Sequence, residues 1–199
     1  MNPKINQSPS VKPTVKWILG SASRTIAFGF GSGLSPIAPG TAGTLWAWAS
    51  FLIGSYFLTN QNWLWIISIG ILLGCWICGQ VSEELGKKDF GGIVWDEVVA
   101  FWLILVLTMP MTIWMQALAF GVFRFFDAAK PGPIGSIDHH FKHLEENNNQ
   151  APSNIKQTLW RGFGIIVDDL TAAFLTYLVI VAVQVARSEE RRVGKECRL

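Results

Sequence analysis

Residues 123–135 read FRFFDAAKPGPIG and follow a long apolar run. Arg124, Asp127 and Lys130 recur every third residue, so on a helix they share one face, with an acid between two bases. Acids also gather elsewhere. Asp96 and Glu97 stand immediately before an apolar segment, and Asp168 and Asp169 sit inside another, in FGIIVDDLTAAFL. Acids at helix starts commonly serve the helix dipole, which would account for Asp96 or Glu97 taken alone. That reading suits Asp168 and Asp169 less well, because apolar residues flank them on both sides. A carboxylate at membrane depth is costly and marks a site. Crowded carboxylates repel one another, and a divalent cation relieves the repulsion. Hard oxygen donors without neighbouring His or Cys favour Mg²⁺, which leaves room for water and phosphate oxygens. Arg124 would then offer a planar fork, and Lys130 a point charge, to an anion.

The elements that must position these groups are apolar. The chain has 199 residues, half of them hydrophobic, with only 15% charged and ten Trp; its mean hydropathy is +0.34. These values point to one membrane-embedded domain rather than a soluble one. A formal net charge of +2 is too small to argue for nucleic acid. Segments 44–58 and 63–81, joined by the uncharged TNQN, read as a helical hairpin, since roughly 20 apolar residues cross a bilayer. Trp46, Trp48, Trp63 and Trp65 are expected near the interfaces. Residues 98–123 are apolar but broken at Pro110. Proline removes a backbone donor and disfavours helix at the residue before it, so a second hairpin is expected, with a kinked single span as the other arrangement. Residues 165–186 supply the last span.

Under the hairpin arrangement nearly all charge collects on one face, and the basic N-terminus places that face in the cytoplasm. The fold class is therefore all-α: a polytopic membrane bundle of helical hairpins with a polar site at its cytoplasmic face. Residues 1–13 read as disordered, and without a short apolar core and cleavage site no signal peptide is expected. Residues 14–30 read as an interfacial helix. The Gly/Pro-rich GFGSGLSPIAPGTAGTL fits no nucleotide-loop pattern; it reads as a broken entry to a helix, or as a site loop whose Ser32, Ser35 and Thr41 line a headgroup pocket. Cys75 and Cys78 form CxxC within an apolar helix and read as packing residues.

Four blocks together, GFGSGLSPIAPGTAGTL, GGIVWDEVVAFW, FRFFDAAKPGPI and GFGIIVDDLTAA, resemble the phosphatidylglycerophosphatase A family in content and order over about residues 26–184. The resemblance implies a magnesium-dependent lipid phosphatase of the bacterial inner membrane that converts phosphatidylglycerophosphate to phosphatidylglycerol. It places Asp96, Glu97, Arg124, Asp127, Lys130, Asp168 and Asp169 on the family's polar positions. The roles inferred for them are Asp96 or Asp127 as general base or covalent nucleophile, Arg124 and Lys130 on phosphate, and Glu97, Asp168 and Asp169 on Mg²⁺. A non-catalytic carrier or anion-binding protein would use the same buried charges. The partners expected are the substrate and membrane lipid, not nucleic acid. Two stretches depart from the family. Residues 139–160, with His139, His140 and His143, read as a solvated insertion within a domain spanning 14–186. The charged tail 187–199 has no apolar face and looks like translated adapter sequence.

Overall fold

The structure is a computed structural model and describes residues 12–87, 90–129 and 155–196. The polar residues 1–11, Lys130, His139, His140, His143 and Cys197 lie outside the described residues. All described regular structure is helical: α1 (Val15–Leu19), α2 (Ala22–Ala27), a 3-10 turn (Gly29–Leu34), α3 (Pro39–Gly54), α4 (Asn60–Leu85), α5 (Trp95–Thr108), α6 (Ile113–Ala129) and α7 (Ile155–Glu196).

The N-terminal stretch is not one helix. Gly20 closes α1, and Ser21 takes extended backbone ahead of α2. Two short helices then fold onto the end of α4, where Arg24 pairs with Glu84 at 2.7 Å and lies over the Trp17 ring. Helices α3 and α4 follow one another through the short connection 55–59, but along their lengths each packs on α5 rather than on the other. Helices α3 and α4 meet at their connection, where the Trp63 ring fills the space that a β-carbon on Gly54 would occupy. Helix α4 opens with a Thr59 hydroxyl cap on the Asn62 amide.

Helix α5 is the central element. Val98, Val99, Ala100, Phe101, Ile104 and Leu105 are all buried, and α3, α4 and α7 pack around it. The segment 98–123 is a hairpin rather than a kinked span. Backbone at Met109 leaves the helical region, and α6 starts at Ile113. Glu97 at the start of α5 lies 3.1 Å from Arg124 near the end of α6. A continuous helix would hold residues 27 positions apart at about 40 Å.

Helix α7 is longer than the expected 165–186. It begins inside the polar stretch assigned to the insertion and continues into the charged tail. Thr158 is buried and donates to Glu83 at 2.8 Å, so residues 155–160 belong to the packed helix and not to a solvated loop. Small residues set the α4–α7 approach: a β-carbon on Gly162 would overlap the Cys75 carbonyl, and one on Gly79 the Thr158 carbonyl. At the far end, Gln184 donates to the Thr108 carbonyl.

Two helices are long and apolar enough to cross a membrane, Asn60–Leu85 and the Thr158–Glu190 part of α7. They expose large apolar side chains, including Trp65, Leu72 and Trp76 on α4 and Phe174 and Leu178 on α7. Three of the four tryptophans pack inside the bundle: Trp63 is buried against Phe51 and Trp102, Trp46 stacks on Phe30, and Trp48 donates to Gln116 at 2.7 Å. Trp65 alone of these four is exposed.

Candidate active site

The polar end of the bundle is where α4 and α6 finish and where α3, α5 and α7 begin. The approach to it is made by the Gly-rich turn. The Val94 amide donates to the Ala27 carbonyl at 2.9 Å, and Gly33 lies so close to Gly92 that no β-carbon fits between them. Gly29 (φ +51°) and Phe30 (φ +56°) carry the turn through the left-handed region. This clamps residues 29–34 onto the segment that delivers Trp95, Asp96 and Glu97.

Asp96 and Glu97 occupy the first turn of α5, next to the unpaired amides of a helix start. Glu97 is held on three sides. Its Oε1 meets Arg124 Nη1 at 3.1 Å, its Oε2 meets the Thr44 hydroxyl at 3.3 Å, and its carboxylate fills the space left by Gly40. The same Arg124 nitrogen lies 2.7 Å from Asp127, one turn further along α6. Asp96, Asp168 and Asp169 are buried. Asp169 lies within electrostatic reach of Asp96, Asp127, Glu97 and Asp168, and Cys78 on α4 lies within reach of Asp96 and Asp169. Helices α5, α6 and α7 therefore bring one acidic centre together around Arg124.

The serines of the Gly-rich loop are committed locally. Ser32 donates to the Gly29 carbonyl and Ser35 to the Ile37 carbonyl, both at 2.8 Å, so these hydroxyls brace the loop. Thr41 sits half-buried in the first turn of α3. Lys130 is outside the described residues. Gly40 and Thr44 are the partners that sequence reasoning did not connect to Glu97. Their i, i+4 spacing on α3 was the available signal, because it puts a gap and a hydroxyl on one face.

Whether these residues suit a divalent cation turns on their unsatisfied oxygens. Asp96 Oδ1 and Asp169 Oδ2 are buried with no hydrogen-bond partner among the described residues. Buried carboxylate oxygens of that kind need a counter-charge. The donors are oxygen throughout, which suits Mg²⁺. Among the described residues, no three acidic, Cys or His side chains converge as a completed metal shell. Mg²⁺ commonly takes one or two carboxylates and keeps several waters, so Asp169 fits as a direct holder, with Asp168 beside it.

The sequence model of the family described as Phosphatidylglycerophosphatase A matches residues 25–145, more than half of the chain. The chain belongs to the phosphatidylglycerophosphatase A family. A relative of that name from Haemophilus influenzae is 35% identical over 176 residues, covering 86% of this chain and 94% of its own. Another from Escherichia coli is 35% identical over 152 residues, covering 76% and 77%. A Bacteroides thetaiotaomicron relative, provisionally named a phosphatidylinositol-3-phosphatase, is 30% identical over 162 residues, covering 78% and 89%. No solved structure matches. Family membership and the two long apolar helices together make this a membrane protein. The family match takes in the Gly-rich turn, the Asp96–Glu97 pair and the Arg124–Asp127 face, but ends before Asp168 and Asp169. The fold carries those two acids back to the centre through α7.

Proposed function

We propose that the protein is a phosphatidylglycerophosphatase that hydrolyses the terminal phosphate monoester of phosphatidylglycerophosphate to give phosphatidylglycerol. It works with Mg²⁺, in the bacterial inner membrane as a multi-pass protein, with its polar end in the cytoplasm. The observation that carries the reading is the pairing of Arg124 with Glu97 and Asp127, with Asp96 and Asp169 within electrostatic reach of those acids, at one end of an apolar bundle of this family. A site so placed faces a substrate whose acyl chains stay in lipid while its phosphate reaches the polar end.

Phosphate monoester cleavage needs charge neutralisation and an in-line nucleophile rather than elaborate covalent chemistry. When bound by Asp169 with Asp168 beside it, Mg²⁺ would supply positive charge against the phosphate oxygens. Arg124 presents its fork to the same oxygens, with Glu97 and Asp127 both paired to its Nη1. Lys130, three residues on in the sequence, would add a point charge. Of the two candidate bases, Asp127 is occupied with Arg124, whereas Asp96 keeps a buried oxygen without a partner. Asp96 therefore takes the proton of the attacking water. The P–O bond to glycerol breaks on the opposite side, and the departing oxygen takes a proton from water at the open end of the bundle.

The test is phosphate release by purified protein in detergent, with and without EDTA. The substrates are phosphatidylglycerophosphate, phosphatidic acid, a phosphatidylinositol monophosphate and glycerol 3-phosphate. Preferred, EDTA-sensitive release from phosphatidylglycerophosphate is expected. Preference for the inositol lipid would reassign the headgroup. Lipid binding without release would make the protein an anion-binding membrane component.

A further inference from the structure

Glu97 has both carboxylate oxygens engaged by protein, and the engaging groups are themselves specific. Thr44 is fully buried, and its hydroxyl is shared between the Gly40 carbonyl at 2.9 Å and Glu97 Oε2 at 3.3 Å. A β-carbon on Gly40 would coincide with the Glu97 carboxylate. Helix α3 has no acid in its own first turn and no side-chain cap, and it starts from Ala38 in the left-handed region with Pro39 next. The Glu97 carboxylate is thus the anion that lies against the start of α3. Its other oxygen carries Arg124.

We infer that Gly40 and Thr44 form a slot that positions Glu97, and through Glu97 sets the Arg124 guanidinium for the substrate's phosphate. Glu97 is then a positioning residue, and holding of the cation falls to Asp168 and Asp169. The inference rests on the phosphatase reading, and it couples α3 to the anion-binding face of α6. Removing the Thr44 hydroxyl releases one oxygen of Glu97 and lets its carboxylate swing, so the plane of Arg124 is lost while every charge remains.

The experiment compares Thr44→Val, Thr44→Ala and Thr44→Ser in the full-length protein. It measures kcat and KM for the lipid, the dissociation constant for inorganic phosphate by calorimetry, the Mg²⁺ midpoint and the melting temperature. Loss of a hydrogen bond to a charged group should raise KM and the phosphate dissociation constant about tenfold in the hydroxyl-free variants. Thr44→Ser recovers most of that loss, and the Mg²⁺ midpoint stays within about twofold. A Mg²⁺ midpoint that moves to higher concentration, with phosphate affinity unchanged, would overturn the inference and make Glu97 a metal ligand. Equal phosphate affinity in wild-type and folded Thr44→Ala protein would also overturn it. Should Thr44→Val not fold, Thr44→Ala carries the comparison, because it adds no branched methyl beside the carboxylate. Absence of lipid turnover by the wild type would instead remove the functional reading, and the phosphate titration would still decide the slot.

Discussion

Arg124 carries two carboxylates on one nitrogen, and that arrangement makes its chemistry testable at the level of single atoms. Lysine keeps the charge but has neither the planar fork nor a second nitrogen. Arg124→Lys should therefore lower kcat/KM on the order of 10- to 100-fold while the protein remains folded, since charge-assisted bidentate bonds are the strong ones. Steady-state kinetics beside a thermal melt checks it, and near-wild-type kcat/KM would count against a role on phosphate. Asp96 makes the opposite kind of prediction. Its buried Oδ1 has no partner among the described residues, so Asp96→Asn removes an uncompensated buried charge. Turnover should fall by about 10²-fold or more, as expected for loss of a general base, with the melting temperature unchanged or raised. A large drop in melting temperature with normal specific activity would mean that Asp96 only braces α5. The residues that do this chemistry were legible in the sequence because acids inside apolar runs stand out. Gly40 and Thr44 were not, because their i, i+4 spacing on α3 marks a gap and a hydroxyl on one face but not the acid that lies opposite.

Among the elements, α4 and α7 meet through glycine rather than through large side chains. Gly162→Ala would drive a methyl into the Cys75 carbonyl. Overpacking of this kind costs about 1–3 kcal/mol, so its melting temperature in detergent should fall clearly. Gly121→Ala on α6 meets nothing within 4 Å and is the internal control, expected to be neutral or slightly stabilising. Equal melting temperatures for the two variants would contradict the close α4–α7 approach. The α5–α6 hairpin was legible from Pro110 and from the charges at both ends of the segment. The reach of α7 was not. The sequence before Gly162 is polar and Asn-rich, yet it becomes helical from Ile155 because Thr158 finds Glu83 on α4. That pairing is a tertiary contact with no local trace. A Gly/Ser linker in place of residues 141–154 should leave activity within about tenfold, because loop length changes closure free energy slowly. Extending the replacement to residue 158 should cost far more, since it removes the Glu83 contact; phosphate release by the two variants distinguishes them.

At the scale of the whole molecule, polar and apolar ends are separated by the bundle itself. Helix α7 runs from the Glu83 contact at the polar end to Thr108 at the other, so Ser188 emerges opposite the acids. In a background with Cys197 replaced, a cysteine at Lys87 should label only from the cytoplasm and one at Ser188 only from outside intact spheroplasts. Labelling of both from one side would contradict a crossing α7. The charge pattern foretold this polarity, because nearly every acid and base outside the tail falls at one end of the hairpins. The most direct measurement is phosphate release from phosphatidylglycerophosphate by purified wild-type and Asp169→Asn protein of matched melting temperature. Release by the wild type should depend on Mg²⁺, and Asp169→Asn should lose about 10²-fold or more. No release by the folded wild type, or release at the wild-type rate by folded Asp169→Asn, would contradict the proposed function.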